Sequence, residues 1–210
     1  ISVSDIREYL FRVPDSKEEQ QAIAAALSDV DALIASLDKL IAKKRDIKQA
    51  AMQQLLTGKT RLPGFSGEWE VTSYGQLLDY EQPGKYIVSD TEYTDVGIPV
   101  LTAGKTFVLG HTTEQEGICT SLPVVVFDDF TTASRYVDFP FKVKSSAIKL
   151  LRARNSDVDL RFVYERMQVT KFTLGDHKRY YISEYQHIKL EVPSATEQHA
   201  IAAVLSDMAA

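Results

Sequence analysis

The stretch Val13–Ala32, VPDSKEEQQAIAAALSDVDA, returns near the other end of the chain as Val192–Ala210, VPSATEQHAIAAVLSDMAA. An offset of 178 pairs Glu19 with Glu197, Gln20 with Gln198, Ile23 with Ile201, Leu27 with Leu205 and Asp29 with Asp207. Upstream, an offset of 179 pairs Ser4 with Ser183, Val13 with Val192 and Pro14 with Pro193, so one residue is gained or lost after the proline. Each copy reads as a strand, a proline and the start of a helix. A period of this length is domain-sized, well past the roughly 20–50 residues of a solenoid repeat. The chain is expected to be one period of a duplicated architecture with both junctions retained.

Working outward from the first copy, residues 1–13 read as a strand carrying Val3, Ile6, Tyr9, Phe11 and Val13. Pro14 ends it, because proline cannot donate to a sheet ladder. Asp15 or Ser16 offers a helix N-cap, and Glu18 and Glu19 suit the positive end of the helix dipole. No glycine or proline follows until Gly58, which predicts a helix of roughly 40 residues, ~60 Å long. Its apolar positions step by four and three through Ile23, Leu27, Val30, Ile34, Leu37 and Ile41, then Ala51 and Leu55; Lys44 and Lys48 interrupt them. Leu33, Leu40 and Ile47 widen the stripe. This is the seam of a coiled coil, and it calls for a second long helix.

Gly58 supplies the helix stop, Arg61–Phe65 is turn chemistry, and Trp69 is placed to anchor the next domain. From Val71 to Val192 the pattern becomes short β-rich runs. Ile98–Leu101, Pro123–Phe127 and Ala147–Leu151 are the clearest strands. Leu160–Gln168 reads as a helix, and Tyr180–Leu190 as a closing strand or pair of strands. Thr196–Met208 repeats the start of the long helix. The fold class is α+β, a mixed β-sheet domain with a long coiled-coil-forming helical arm.

The 210 residues suffice for one sizeable domain with an extension, or two small ones. A 44% hydrophobic and 25% charged composition is that of an ordinary soluble protein. No apolar run approaches the roughly 20 residues of a membrane helix, and ISVSDIREYL has no secretory pattern. No membrane partner is expected. Cys119 is the single cysteine, so no disulfide forms within the chain and a reducing, cytoplasmic location is expected. The net charge of −5 is unevenly spread. Residues 66–140 hold 3 basic and 12 acidic side chains, a net of −9; residues 141–189 hold 11 basic and 5 acidic, a net of +6. One basic surface suits phosphate binding, although solvated helix faces produce charge blocks as well.

Two sets of residues could carry chemistry. Asp128-Asp129 ends an apolar strand, as do carboxylates in metal-dependent nucleases. Neighbours on a strand point to opposite faces, however, so they are poorly placed to share a metal, and a loop-capping role suits them better. No nucleotide-binding or zinc-protease motif is present. His111, His177, His187 and His199 lack metal-ligand spacing, so no metal is expected. The second set is four short loops with hydroxyls and cations: Thr102, Lys105 and Thr106; Thr131, Thr132 and Arg135; Lys142, Lys144, Ser145 and Ser146; and His177, Lys178, Arg179 and Tyr180. Hydroxyls and lysines hold phosphates, and arginine reads guanine with two hydrogen bonds. DNA binding is the favoured reading. A coiled-coil interaction module without DNA binding and a metal-dependent nuclease centred on Asp128 are the alternatives.

The Val-Pro followed by Glu-Gln, the long helix, LLTGKTRLPGF leading to Trp69, and the run IPVLTAGKTFVLGHT…LPVVVFDDFTTASRYVDFPFKVKSSAIKLL resemble the DNA-specificity subunit of a type I restriction–modification system. The resemblance covers nearly the whole chain. It implies a non-catalytic subunit in which target-recognition domains each read half of a split double-stranded DNA sequence, while helices space them. It implies docking of a methyltransferase subunit, which alone would use S-adenosylmethionine as cofactor, and of a restriction or motor subunit through the complex. On this reading residues 1–14 end a preceding recognition domain, 15–65 form the conserved helix and its turn, 66–192 are a recognition domain, and 193–210 begin a second conserved helix. Such a chain is an expressed fragment or a natural half-subunit, and a homodimer through the long helix is expected.

Overall fold

The computed structural model describes residues 12–102, 104, 106–175 and 179–208. Two compact units divide the chain, residues 1–47 and 48–210. The strand expected over residues 1–13 falls almost wholly outside the described residues. Helix α1, Lys17–Leu55, is unbroken, as the lack of glycine and proline predicts. Ser16 rather than Asp15 caps it, its hydroxyl accepting from the Glu19 amide at 3.2 Å. Gly58 stops it in the left-handed region, at φ +68°. A side chain there would be strained and would also meet the Trp69 ring at 3.4 Å.

In the first unit every residue from Lys17 to Ile47 is exposed, the apolar positions included. Ile23, Leu27, Val30, Leu33, Ile34, Leu37, Leu40, Ile41 and Ile47 are 45–61% exposed. The last seam positions, in the second unit, behave differently. Leu55 is buried and Ala51 packs beside it in that unit's core. These two residues serve the domain that follows, so the free stripe ends before them.

The second unit holds three sheets. Strands β1 (Glu70–Ser73) and β9 (Lys189–Val192) pair antiparallel at the point where the chain enters and leaves the domain. The central sheet has four antiparallel strands: β2 (Leu78–Glu81), β8 (Ile148–Ala153), β5 (Val124–Asp128) and β6 (Ser134–Val137), in that spatial order. The third is mixed: β3 (Ile98–Leu101) pairs antiparallel with β4 (Val108–Thr112) and parallel with β7 (Lys142–Val143). Helix α2, Tyr74–Leu77, joins β1 to β2.

Strand β5 explains its own unbroken apolar run. Val125 and Phe127 belong to one core, with the helices, while Val124 and Val126 belong to a second core with Phe141, Val143 and Leu150. Buried on both faces, the strand has no polar alternation to show. Helix α3, Leu160–Val169, matches expectation within a residue, and Asp159 caps it by accepting from the Phe162 amide. Of Tyr180–Leu190, read as a closing strand or pair of strands, only Lys189-Leu190 is extended, as the start of β9. Helix α4, Tyr180–Ser183, and a 3-10 turn at Tyr185–His187 precede β9. Tyr181 and Tyr185, four apart, go to the same core, a helical spacing that the β-branched look of the segment hides.

Helix α5, Ala195–Asp207, is the second copy of the repeat. Both copies make one bond alike: the Gln20 side-chain amide donates to the Pro14 carbonyl at 2.7 Å, and that of Gln198 to the Pro193 carbonyl at 2.9 Å. The surroundings differ. Glu197 and Gln198 are buried, Arg61 donates to both carboxylate oxygens of Glu197, and Ile201 and Leu205 are core residues. Their counterparts Glu19, Gln20, Ile23 and Leu27 are exposed. Truncation should report this contrast. In denaturant unfolding of the monomeric chain, Leu205→Ala is expected to cost about 3 kcal/mol and Leu27→Ala less than about 0.5 kcal/mol; equal losses would contradict it.

Candidate nucleic-acid interface

The site is built from the turn between β5 and β6. The Asp128 carboxylate accepts from the amides of Phe130 and Thr131 at 2.8 and 2.9 Å. Its carbonyl accepts from Thr132, and its amide donates to Ala133. Thr132 sits at φ +58°, an uncommon conformation for a β-branched residue that this set of bonds holds in place.

Asp129 does a different job. It is 1% exposed, and its carboxylate lies 2.9 Å from the Lys149 ammonium, itself 1% exposed. Lys149 also donates to the Gln82 side chain. The other Asp129 oxygen accepts from the Tyr181 amide at 2.9 Å. The Asp129 carbonyl accepts from Tyr180 at 2.8 Å, and its amide donates to the Ala147 carbonyl at 2.9 Å. Thus the turns at 128–133, 145–147 and 179–181 are tied at one residue. The fourth loop joins through its neighbours. Lys144 donates its amide to the Leu101 carbonyl, the Thr102 amide bonds the Phe107 carbonyl, and the Arg135 guanidinium lies 5.9 Å over the Phe107 ring.

Four loops that are up to about 80 residues apart in sequence therefore meet at one end of the domain. Thr106, Thr131, Arg135, Lys144, Ser145, Ser146 and Arg179 are exposed there, and Thr102 and Thr132 half-buried. Lys105, His177 and Lys178 lie outside the described residues. Two proposed phosphate or base contacts are placed elsewhere. Lys142 is buried, its ammonium donating to the Glu116 carbonyl at 2.6 Å and lying 2.8 Å from the Glu114 carboxylate. The Lys142 ammonium, bonded to the Glu114 carboxylate, holds that carboxyl below its usual range, with help from the amides of Asp90 and Ser89. Tyr180 is buried too, its ring edge-on to Phe172 and its hydroxyl accepting from the Gly175 amide. Both are correct in type for a contact but are turned to structure by burial.

Asp128 holds the turn through the amides of Phe130 and Thr131, and Asp129 pairs with Lys149 and accepts from Tyr181. Among the described residues no cluster of three His, Cys, Asp or Glu side chains could hold a metal ion. His199 is exposed beside Asp159, and Cys119 is a buried free thiol. Sequence reasoning passed over Phe130, an aromatic 40% exposed at the tip of the β5–β6 turn with the Arg179 guanidinium 5.9 Å over its ring. An aromatic between Asp-Asp and Thr-Thr, with no apolar periodicity, is the signal that marks it.

No family model matches the chain. Over 153 residues, 70% of this chain, it is 42% identical to the type I restriction enzyme EcoR124I/EcoR124II specificity subunit of Escherichia coli, and it spans 37% of that protein's length. Its fold is similar to the S subunit of a type I restriction–modification system from M. genitalium, with a TM-score of 0.71 and 19% identity, covering 100% of this chain and 59% of that one. A chain from a structure concerned with complex assembly and conformational transition of the type I R-M system is similar at a TM-score of 0.51 and 14% identity, covering 100% and 56%. The two structures speak for the fold alone.

The tie at Asp129 makes a direct prediction. Lys149→Met would leave a buried carboxylate without its counter-charge, and is expected to cost about 3 kcal/mol in denaturant unfolding. Adding Asp129→Asn should recover part of that loss. A single variant within experimental error of the parent would contradict the assignment.

Proposed function

We propose that this chain, 42% identical over 153 residues to a type I restriction enzyme specificity subunit, acts as such a specificity subunit and binds double-stranded DNA sequence-specifically through the four-loop end of its domain. It reads one half of a divided target and performs no catalysis. The observation that carries this reading is the convergence of the four loops, which gathers hydroxyls and the cations Arg135, Lys144 and Arg179. Lys144 and Arg179 are positioning cations that hold phosphates. Thr102, Thr106, Thr131, Thr132, Ser145 and Ser146 supply short hydroxyl contacts to backbone or bases. Arg135 lies over a ring that limits its rotamers, which suits a guanine contact made with two hydrogen bonds.

The helical stripe supplies the second half of the proposal. Nine large apolar side chains exposed along α1 between Ile23 and Ile47 exceed what a solvated helix carries. A second long helix covers them, from a second copy of this chain or from an equivalent conserved helix, and sets the separation of two recognition domains. The helical region also recruits the methyltransferase subunit, and through that complex the restriction subunit. S-adenosylmethionine is bound by the methyltransferase, not by this chain.

Phosphate and base contacts are separable by salt and by sequence. Lys144→Ala and the pair Lys178→Ala with Arg179→Ala are expected to weaken binding to all duplexes alike. Each lost phosphate contact lowers the slope of log affinity against log salt by about 1. Arg135→Ala is expected to lower affinity for the preferred duplex by about tenfold while leaving mixed-sequence binding nearly unchanged. Salt-titrated binding to a selected and a scrambled duplex checks both. Unchanged salt dependence in the cation variants would reject the interface.

A further inference from the structure

Phe130 is a large apolar side chain placed among hydroxyls and cations, where no core explains it. Its backbone is held on every side: its own amide and that of Thr131 donate to Asp128, and the preceding Asp129 is tied to Ala147, Lys149, Tyr180 and Tyr181. A turn fixed in this way presents its ring at small entropic cost. The residue is 40% exposed, so part of it is seated and part is offered to solvent. That geometry does not suit a wedge driven between base pairs, which needs the whole side chain to project. It suits a surface contact. The Arg179 guanidinium, 5.9 Å from the ring centroid, sets a phosphate-seeking cation beside this apolar side chain.

On the edges of the bases in the major groove, the 5-methyl of thymine is the apolar group, and phenylalanine is among the side chains that pack on it. We propose that Phe130 is a specificity-determining residue whose ring packs on the methyl group of a thymine in the recognised half-site, next to a phosphate held by Arg179. The inference rests on the DNA-binding reading above and adds a base preference to it. A ring in this position discriminates thymine from uracil, which lacks only the methyl, and from cytosine.

The test uses the full chain and duplexes selected from a random pool by the unaltered protein. In the selected duplex each thymine is replaced in turn by uracil, and affinity is measured. One position is expected to lose about fourfold, the worth of one buried methyl group. Phe130→Ala should bind the thymine duplex about as weakly as the parent binds the uracil one, and should not distinguish the two. Phe130→Leu should retain part of the discrimination, and both variants should stay folded with a cooperative denaturant transition, because Phe130 belongs to neither core. Selected duplexes without thymine, indifference of the parent to uracil at every position, or discrimination surviving in Phe130→Ala would each overturn the proposal while leaving DNA binding intact. If the parent binds no duplex at low salt, the DNA-binding reading itself fails, and this inference with it.

Discussion

The buried pair of Asp129 and Lys149 is the constraint on which the proposed interface depends. Two charges withdrawn from water are costly, and a pair of this kind adds little net stability relative to an apolar core. What it supplies is position. The polar groups of Asp129 reach two separate stretches: the amide goes to Ala147 and one carboxylate oxygen pairs with Lys149 of β8, while the carbonyl accepts from Tyr180 and the other carboxylate oxygen from Tyr181. An apolar residue in its place could fill the volume but could not fix three turns in one register. We interpret the pair as the device that holds hydroxyl-bearing loops in a single arrangement, which the proposed groove contacts require.

The repeat gives the same sequence two surroundings, and the comparison separates local from tertiary effects. The glutamine that bonds back to the proline carbonyl does so in both copies, although one is exposed and the other buried. The motif is therefore a local device for turning a strand into a helix. Burial of Glu197, Ile201 and Leu205 is tertiary, since it depends on Arg61 and on the core around α3. The exposed Glu19, Ile23 and Leu27 have the side chains for the same docking.

Much of the fold is legible in the sequence because its causes are local. An uninterrupted apolar repeat gives α1, Gly58 ends it, and the runs at Ile98–Leu101 and Pro123–Phe127 become strands. Tyr180–Leu190 is misread for the opposite reason. Its first turn is captured by Asp129, some 50 residues upstream, and its tyrosines by a core assembled from distant elements. The candidate site divides along the same line. Residue type and loop composition identify the four loops, but burial decides which members face outward. Lys142 is turned inward by Glu114 and Glu116, and Tyr180 by Phe172 and Gly175, all distant or unremarkable in sequence. Phe130 is marked only by its polar neighbours, Asp-Asp before it and Thr-Thr after it, a weaker signal than a periodic one.

The central claim is that one end of the domain, organised around Asp129, meets duplex DNA. Amide hydrogen exchange on the full chain, with and without a mixed-sequence duplex at low salt, tests it most directly. The account predicts slowed exchange in the turns at 128–133, 144–147 and 179–181 and around 102–107, with little change along α5. Protection confined to α5 or α1, or none anywhere while the duplex is bound, would contradict it.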